Sequence, residues 1–93
     1  MILSFADRKT EAFFRNGTCP VHWRSFAAVA ARKLDAVDAA EMLRDLAVPP
    51  GNRLEALKHD RAGQHSIRIN DQWRLCFRWT EAGVEGVEIV DYH

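Results

Sequence analysis

His65-Ser66-Ile67-Arg68-Ile69-Asn70-Asp71-Gln72-Trp73-Arg74-Leu75-Cys76-Phe77-Arg78-Trp79 is the stretch on which the fold turns. Ile67 and Ile69 are apolar at odd positions, and so are Trp73, Leu75, Phe77 and Trp79. Side chains alternate faces along a strand, so the odd positions of two strands should face one core. Residues opposite one another in an antiparallel pair share a face. A two-residue turn at Asn70-Asp71 would set Ile67 against Arg74 and mix the faces. An odd loop, Asn70-Asp71-Gln72, pairs Ile69 with Trp73, Ile67 with Leu75 and Arg68 with Arg74. Only the odd loop keeps the hydrophobic face whole, and register follows that face.

This register sets Arg68 directly opposite Arg74 on the polar face, with Arg78 farther along. Like charges in that position destabilise a sheet. Either the two side chains splay into water, or an anion lies between them, and phosphate matches the guanidinium fork. Val87 and Ile89 are the best core residues of the last strand. If that strand is unbulged, Glu88, Val90 and Tyr92 share the polar face with Arg68 and Arg74. His93 has the other parity, but a terminal residue turns freely. Tyr92-His93 reads either as a frayed tail or as an acid–base pair beside arginines, suited to work on a phosphodiester. In that chemistry an RNA 2′-hydroxyl attacks its own adjacent phosphate. It needs a base for the hydroxyl, an acid for the 5′ leaving oxygen, and cations for the charge that builds on phosphorus. Histidine titrates near neutrality, tyrosine and lysine serve more readily as acid or charge stabiliser, and arginine only binds and stabilises.

Upstream of this strand pair the pattern changes to helical. Met1–Phe5 alternates and predicts a short strand with Leu3 and Phe5 on one face. Asp7 can cap a helix that runs to Asn16, with Gly17 as its stop. A second helix is expected from near Val21, where Trp23, Phe26, Ala27, Ala30, Leu34 and Val37 form one stripe. Asp38 and Glu41 have capping-box spacing for a third short helix over 39–46. Pro49-Pro50-Gly51 closes the helical half. The fold class is therefore α+β: an N-terminal strand, two to three helices, then a mostly antiparallel curved sheet. No repeat or long linker divides residues 1–93, which read as a single domain.

The chain has 13 Lys+Arg and 13 Asp+Glu, and 47% of it is hydrophobic. That excludes a disordered chain or a bulk polycation. The neutral total hides a gradient: residues 51–79 hold six Lys/Arg and three acids, whereas 80–93 hold four acids and no Lys/Arg. The locally positive segment is either a solvated strand face with ordinary charge scatter or a surface for a polyanion, and on the second reading Arg53, Arg61, Arg68 and Arg78 are candidate RNA-binding residues. A free ribonuclease needs a strong positive field of its own, so a neutral chain fits work inside a larger assembly. No apolar run is long enough for a membrane helix. The opening Met1–Asp7 lacks a basic n-region and is broken by charge, so it is not read as a secretory leader. A cytoplasmic location is expected, with Cys19 and Cys76 reduced. The histidines and cysteines lack zinc-ligand spacing, so no metal site is expected. Cys76 is expected to be a buried thiol, His65 to be structural, and Trp73 and Trp79 to pack in the core.

Asn52-Arg53-Leu54-Glu55-Ala56-Leu57-Lys58-His59-Asp60-Arg61, then Ser66-Ile67-Arg68-Ile69-Asn70, Trp73-Arg74 and the ending Val90-Asp91-Tyr92-His93, together resemble a HigB toxin of the RelE/ParE superfamily of type II toxin–antitoxin systems. The resemblance covers essentially the whole chain. It implies a RelE-like fold and a ribosome-dependent endoribonuclease that cleaves mRNA in the A site without a metal or organic cofactor. It implies a HigA-type helix-turn-helix antitoxin as partner, with operator DNA bound only through the toxin–antitoxin complex. Carried over by position, Lys58 and Arg74 would stabilise the phosphate, and Tyr92 and His93 would supply terminal catalytic or RNA-positioning groups. Two positions depart from the family pattern. Some relatives have His where Glu55 stands, and relatives usually have Gly where His59 stands, so both are additional candidates. A gyrase inhibitor of the ParE kind and a catalytically weakened module for antitoxin binding and autorepression remain alternative readings.

Overall fold

A computed structural model describes residues 1–91. Helix α1 spans Arg8–Asn16 and α2 spans Ala27–Ala39. The strands are β1 (Glu55–Ala56), β2 (His65–Arg68), β3 (Trp73–Trp79) and β4 (Val84–Asp91). They form one antiparallel sheet in the order β1-β2-β3-β4. Short 3-10 segments at Val21–Phe26, Leu43–Ala47, Pro50–Asn52 and His59–Arg61 lie in the connections.

The β2–β3 register is the one the apolar parity requires. Ile67 pairs with Leu75 and Arg68 with Arg74, and the Ile69 N–H donates to the Trp73 carbonyl at 2.9 Å. The loop is an Asx turn, in which the Asn70 side-chain oxygen accepts from the Gln72 and Trp73 N–H groups at 2.8 Å. Ile67, Leu75, Phe77, Val87 and Ile89 are buried on one sheet face, against Trp23, Phe26 and the α2 stripe Ala30, Leu34 and Val37. Burial of each large side chain contributes about 1.5–3 kcal/mol.

The Asp7 carboxylate caps α1 by accepting from the Thr10 N–H at 3.2 Å, and Gly17, at φ 73°, closes the helix as expected. The buried Thr10 hydroxyl accepts from the Ile89 N–H at 3.1 Å and ties α1 to β4.

Two expectations are corrected. The N-terminal segment is not a regular strand that sets Leu3 and Phe5 on one face. It bridges β4 in parallel only at Ile2–Val84 and Phe5–Val87, and Ile2 is buried while Leu3 is exposed. The cause lies in β4, which carries an extra residue relative to β3 between the Cys76–Glu88 and Arg78–Glu85 pairs. Gly86 sits there at φ 61°, a conformation that glycine adopts without penalty. The bulge shifts the side-chain phase of β4, and the parallel segment shifts with it. The third helix over 39–46 is also absent as such. Helix α2 continues through Ala39, and a 3-10 turn follows at Leu43–Ala47. Asp38 does not cap that turn, because its carboxylate accepts from the Ile2 N–H at 2.8 Å. Asp45 takes the capping role and accepts from the Glu41 and Met42 N–H groups at 3.1 and 3.0 Å.

Candidate RNA-binding cleft

The polar face of the sheet carries Ser66, Arg68, Arg74, Cys76 and Glu88, with Glu55 of β1 opposite Ser66. At one end of this face lies an open cleft of about 280 Å³ lined by Arg53, Glu55, Arg68, Asn70, Asp71 and Arg74. Arg74 is the buried member, at 9% exposure. Its Nε donates to the Ser66 hydroxyl at 2.8 Å, and its Nη2 donates to the Arg53 carbonyl at 2.7 Å. The Glu55 carboxylate stands 3.9 Å from Nη2, at the outer limit of an ion pair. A buried guanidinium held by a hydroxyl and a carbonyl loses its freedom, which is the preorganisation that transition-state charge requires.

The facing arginines turn to different partners. Arg68 turns to the Asp71 carboxylate, while Arg74 lies along the sheet against Ser66 and Arg53. The like-charge conflict of the register is thus resolved within the protein, and both guanidinium groups still line the cleft.

The other sequence candidates are distributed around this centre. Arg53 reaches the cleft from a left-handed backbone position (φ 47°, ψ 57°) just after the Pro50–Asn52 turn. Lys58 and His59 are exposed on the loop between β1 and β2 and do not line the cleft. His59 has φ 57°, so an L-residue occupies backbone space that glycine fills more readily. Arg61 donates to Glu88 at 2.7 Å and to Gln64 at 3.1 Å, and the Glu88 bond raises its pKa. It acts as a brace across the sheet. Arg78 lies in a separate cleft, with Ser4, Gln64, Glu85 and Gly86. Tyr92 and His93 lie outside the described residues. Strand β4 is described as far as Asp91, which pairs with Trp73 and accepts from Gln72 Nε2 at 2.9 Å.

Cys76 is fully buried, and burial pushes its thiol up to about 11, so it is not a nucleophile at neutral pH. His65 stacks on Phe77 with ring centroids 6.4 Å apart, a packing role. Trp73 and Trp79 pack against the core cluster. Ser66 and Asn52 were not among the sequence candidates. Ser66 was legible in principle, because it lies on the polar face one diagonal from Arg74. Asn52 was not, because its role is to donate to the Leu46 and Val48 carbonyls at 3.1 and 3.3 Å and so shape the turn before Arg53.

Residues 3–93 match the model of a family described as RelE-like toxin of type II toxin-antitoxin system HigB. The chain belongs to the HigB-like toxin family. It is 40% identical over 96 residues to Toxin HigB-1 of Vibrio cholerae serotype O1, spanning 99% of this chain and 94% of the relative. It is also 45% identical over 51 residues to an uncharacterized protein of Haemophilus influenzae, spanning 55% of this chain and 50% of that one. A solved YoeB/ParE toxin from Agrobacterium tumefaciens has the same fold, with a TM-score of 0.55 at 20% identity over 99% of this chain and 98% of that chain. As a HigB-like toxin of a type II system, the chain has an antitoxin as its partner. Among the described residues no helix is long and apolar enough to cross a membrane.

Proposed function

We propose that this HigB-like toxin is a ribosome-dependent endoribonuclease that cleaves mRNA in the ribosomal A site. The observation that carries the reading is the anchored Arg74 guanidinium, set in an open cleft with Arg53 and Arg68. An open, cationic, shallow cleft suits a strand of RNA better than an enclosed small molecule. In the reaction the 2′-oxygen forms a bond to the adjacent phosphorus as the bond from phosphorus to the 5′-oxygen breaks. The 2′-hydroxyl loses a proton to a base, and the leaving oxygen gains one from an acid. Arg74 stabilises the charge on the non-bridging phosphate oxygens, and Lys58 adds a cation from the neighbouring loop. Arg53 and Arg68 hold the strand. Tyr92 and His93 supply the proton-transfer or positioning groups.

The neutral net charge supports the ribosome's part in this reading, since a domain with equal numbers of acids and bases has little field with which to hold RNA alone. The partner is taken to be a HigA-type antitoxin, and the setting is taken to be the cytoplasm. The test is cleavage of a defined mRNA by the purified toxin with and without ribosomes, using Arg74→Ala beside the wild type. Gyrase inhibition without RNA cleavage would favour the ParE-like alternative.

A further inference from the structure

A second cleft has a volume of about 260 Å³. It is lined by Arg32, Lys33, Ala36, Val48, Pro49 and Asn52, whereas Arg53, the next residue, lines the sheet cleft. Consecutive residues, Asn52 and Arg53, thus line the two clefts. Asn52 is 2% exposed and is fixed by its bonds to the Leu46 and Val48 carbonyls. Its remaining side-chain oxygen accepts from Lys33 Nζ, which positions the ammonium beside Asn52. One of the three ammonium N–H groups is used there, and no further side-chain partner of Lys33 is found among the described residues. The Arg32 side chain has no hydrogen-bond or ion-pair partner among the described residues. The cleft also has an apolar side, in which Val48 is 73% exposed.

Cations beside an exposed apolar surface match the two halves of a nucleotide, its phosphate and its sugar or base. Two such clefts, each open and shallow, match a polymer better than a single anion. Lys33 feels both clefts: its pKa is lowered by burial first, then by Arg32 and by Arg68. Arg68 belongs to the sheet cleft, so a cation of that cleft acts on the ammonium of this one. The carboxylates nearby are Asp35, one turn from Arg32 on α2, Asp71, which pairs with Arg68, and Glu55, which lines the sheet cleft 3.9 Å from Arg74.

We propose that the Arg32–Lys33 cleft is a second phosphodiester-binding site, continuous with the sheet cleft across Asn52–Arg53, that holds the ribose-phosphate backbone of an RNA strand. The inference rests on the reading of the protein as an RNA-directed toxin. It adds a positioning surface on α2 that composition could not reveal, because residues 1–50 are near charge balance. The strand is either the flank of the cleaved message or a segment of ribosomal RNA, which present the same chemistry.

The test is fluorescence anisotropy on a labelled oligoribonucleotide with 2′-O-methyl sugars throughout, which binds but cannot be cut, read across a salt series. A second arm is co-sedimentation with ribosomes that carry no message. The variants are Arg32→Glu, Lys33→Met, Asp35→Asn and, as a control outside both clefts, Arg15→Glu. Arg32→Glu is expected to weaken binding about tenfold at low salt and to flatten the logarithmic salt slope by about 0.7 for each phosphate that the protein no longer neutralises. Lys33→Met should act in the same direction, Asp35→Asn should tighten binding, and Arg15→Glu should leave the slope unchanged. Arg32 is exposed and makes no side-chain bond to the described residues, so its variant folds even if loss of the Lys33–Asn52 bond perturbs the other. A loss confined to the oligonucleotide assigns the message, and a loss on empty ribosomes assigns ribosomal RNA. Wild-type behaviour of both variants in both arms, while Arg68→Ala weakens binding, overturns the second site and leaves the sheet cleft intact. Wild-type protein that neither binds RNA nor cuts it on ribosomes overturns the parent reading as well.

Discussion

Arg74 Nη2 donates to the Arg53 carbonyl oxygen across 2.7 Å, so the backbone that presents one cation is clamped by the guanidinium of another. The bond joins the centre of the sheet to the loop before β1. It makes the position of Arg53 in the cleft depend on Arg74.

Arg74→Ala should therefore do two things. Ser66 and the Arg53 carbonyl lose their partner, and equilibrium denaturation should report a loss of about 1–3 kcal/mol. Cleavage should fall by about 10²–10³-fold, the cost of removing one preorganised donor. Arg74→Lys restores charge without the fork and should recover stability better than rate.

Ser66→Ala separates positioning from chemistry. It deletes the acceptor for Nε while leaving the guanidinium in place. A stability loss of about 1 kcal/mol is expected, with a cleavage defect smaller than that of Arg74→Ala. Equal defects in the two variants would mean that Arg74 acts only through its anchor.

His59→Gly should stabilise the protein by up to about 1 kcal/mol, because it removes an L-residue from φ 57°. His59→Ala keeps the strain and should not stabilise. Comparing the two by thermal melting isolates the backbone term, and their cleavage rates show whether the imidazole contributes to activity.

The register of the β2–β3 hairpin was legible because parity and loop length leave one arrangement that keeps Ile67 and Leu75 inward. The α1 boundaries were legible because Asp7 and Gly17 are local signals. The inward face of Met1–Phe5 was not, because it follows a bulge at Gly86, far away in sequence. The true partner of Asp38 is the Ile2 N–H, a tertiary bond that no local capping pattern contains. In the cleft, sequence placed Arg68 and Arg74 opposite one another, but not their separate anchors. The Asp71 pair and the Arg53 carbonyl come from loops whose course is set by tertiary packing. Lys33 was illegible for the same reason, since Asn52 reaches it through the Pro50–Asn52 turn.

The buried Cys76 gives a pH signature. Its folded pKa is raised to about 11 from 9.0 by burial, so the unfolded chain ionises first as pH rises. Stability from this group is complete below pH 9 and is lost between roughly 9 and 11. The loss should approach the order of 2 kcal/mol and be absent in Cys76→Ala, which denaturant titrations at pH 8 and pH 10.5 would show. At pH 8 the native protein should present Cys19, not Cys76, to a thiol reagent.

Primer extension on a defined mRNA in a purified translation system, with and without ribosomes, tests the central claim most directly. Cuts that appear only with ribosomes, and disappear both with folded Arg74→Ala and on removal of Tyr92 and His93, are the expected result. Folded wild-type protein that leaves the message intact in both conditions, or variants that cut as well as the wild type, would contradict it.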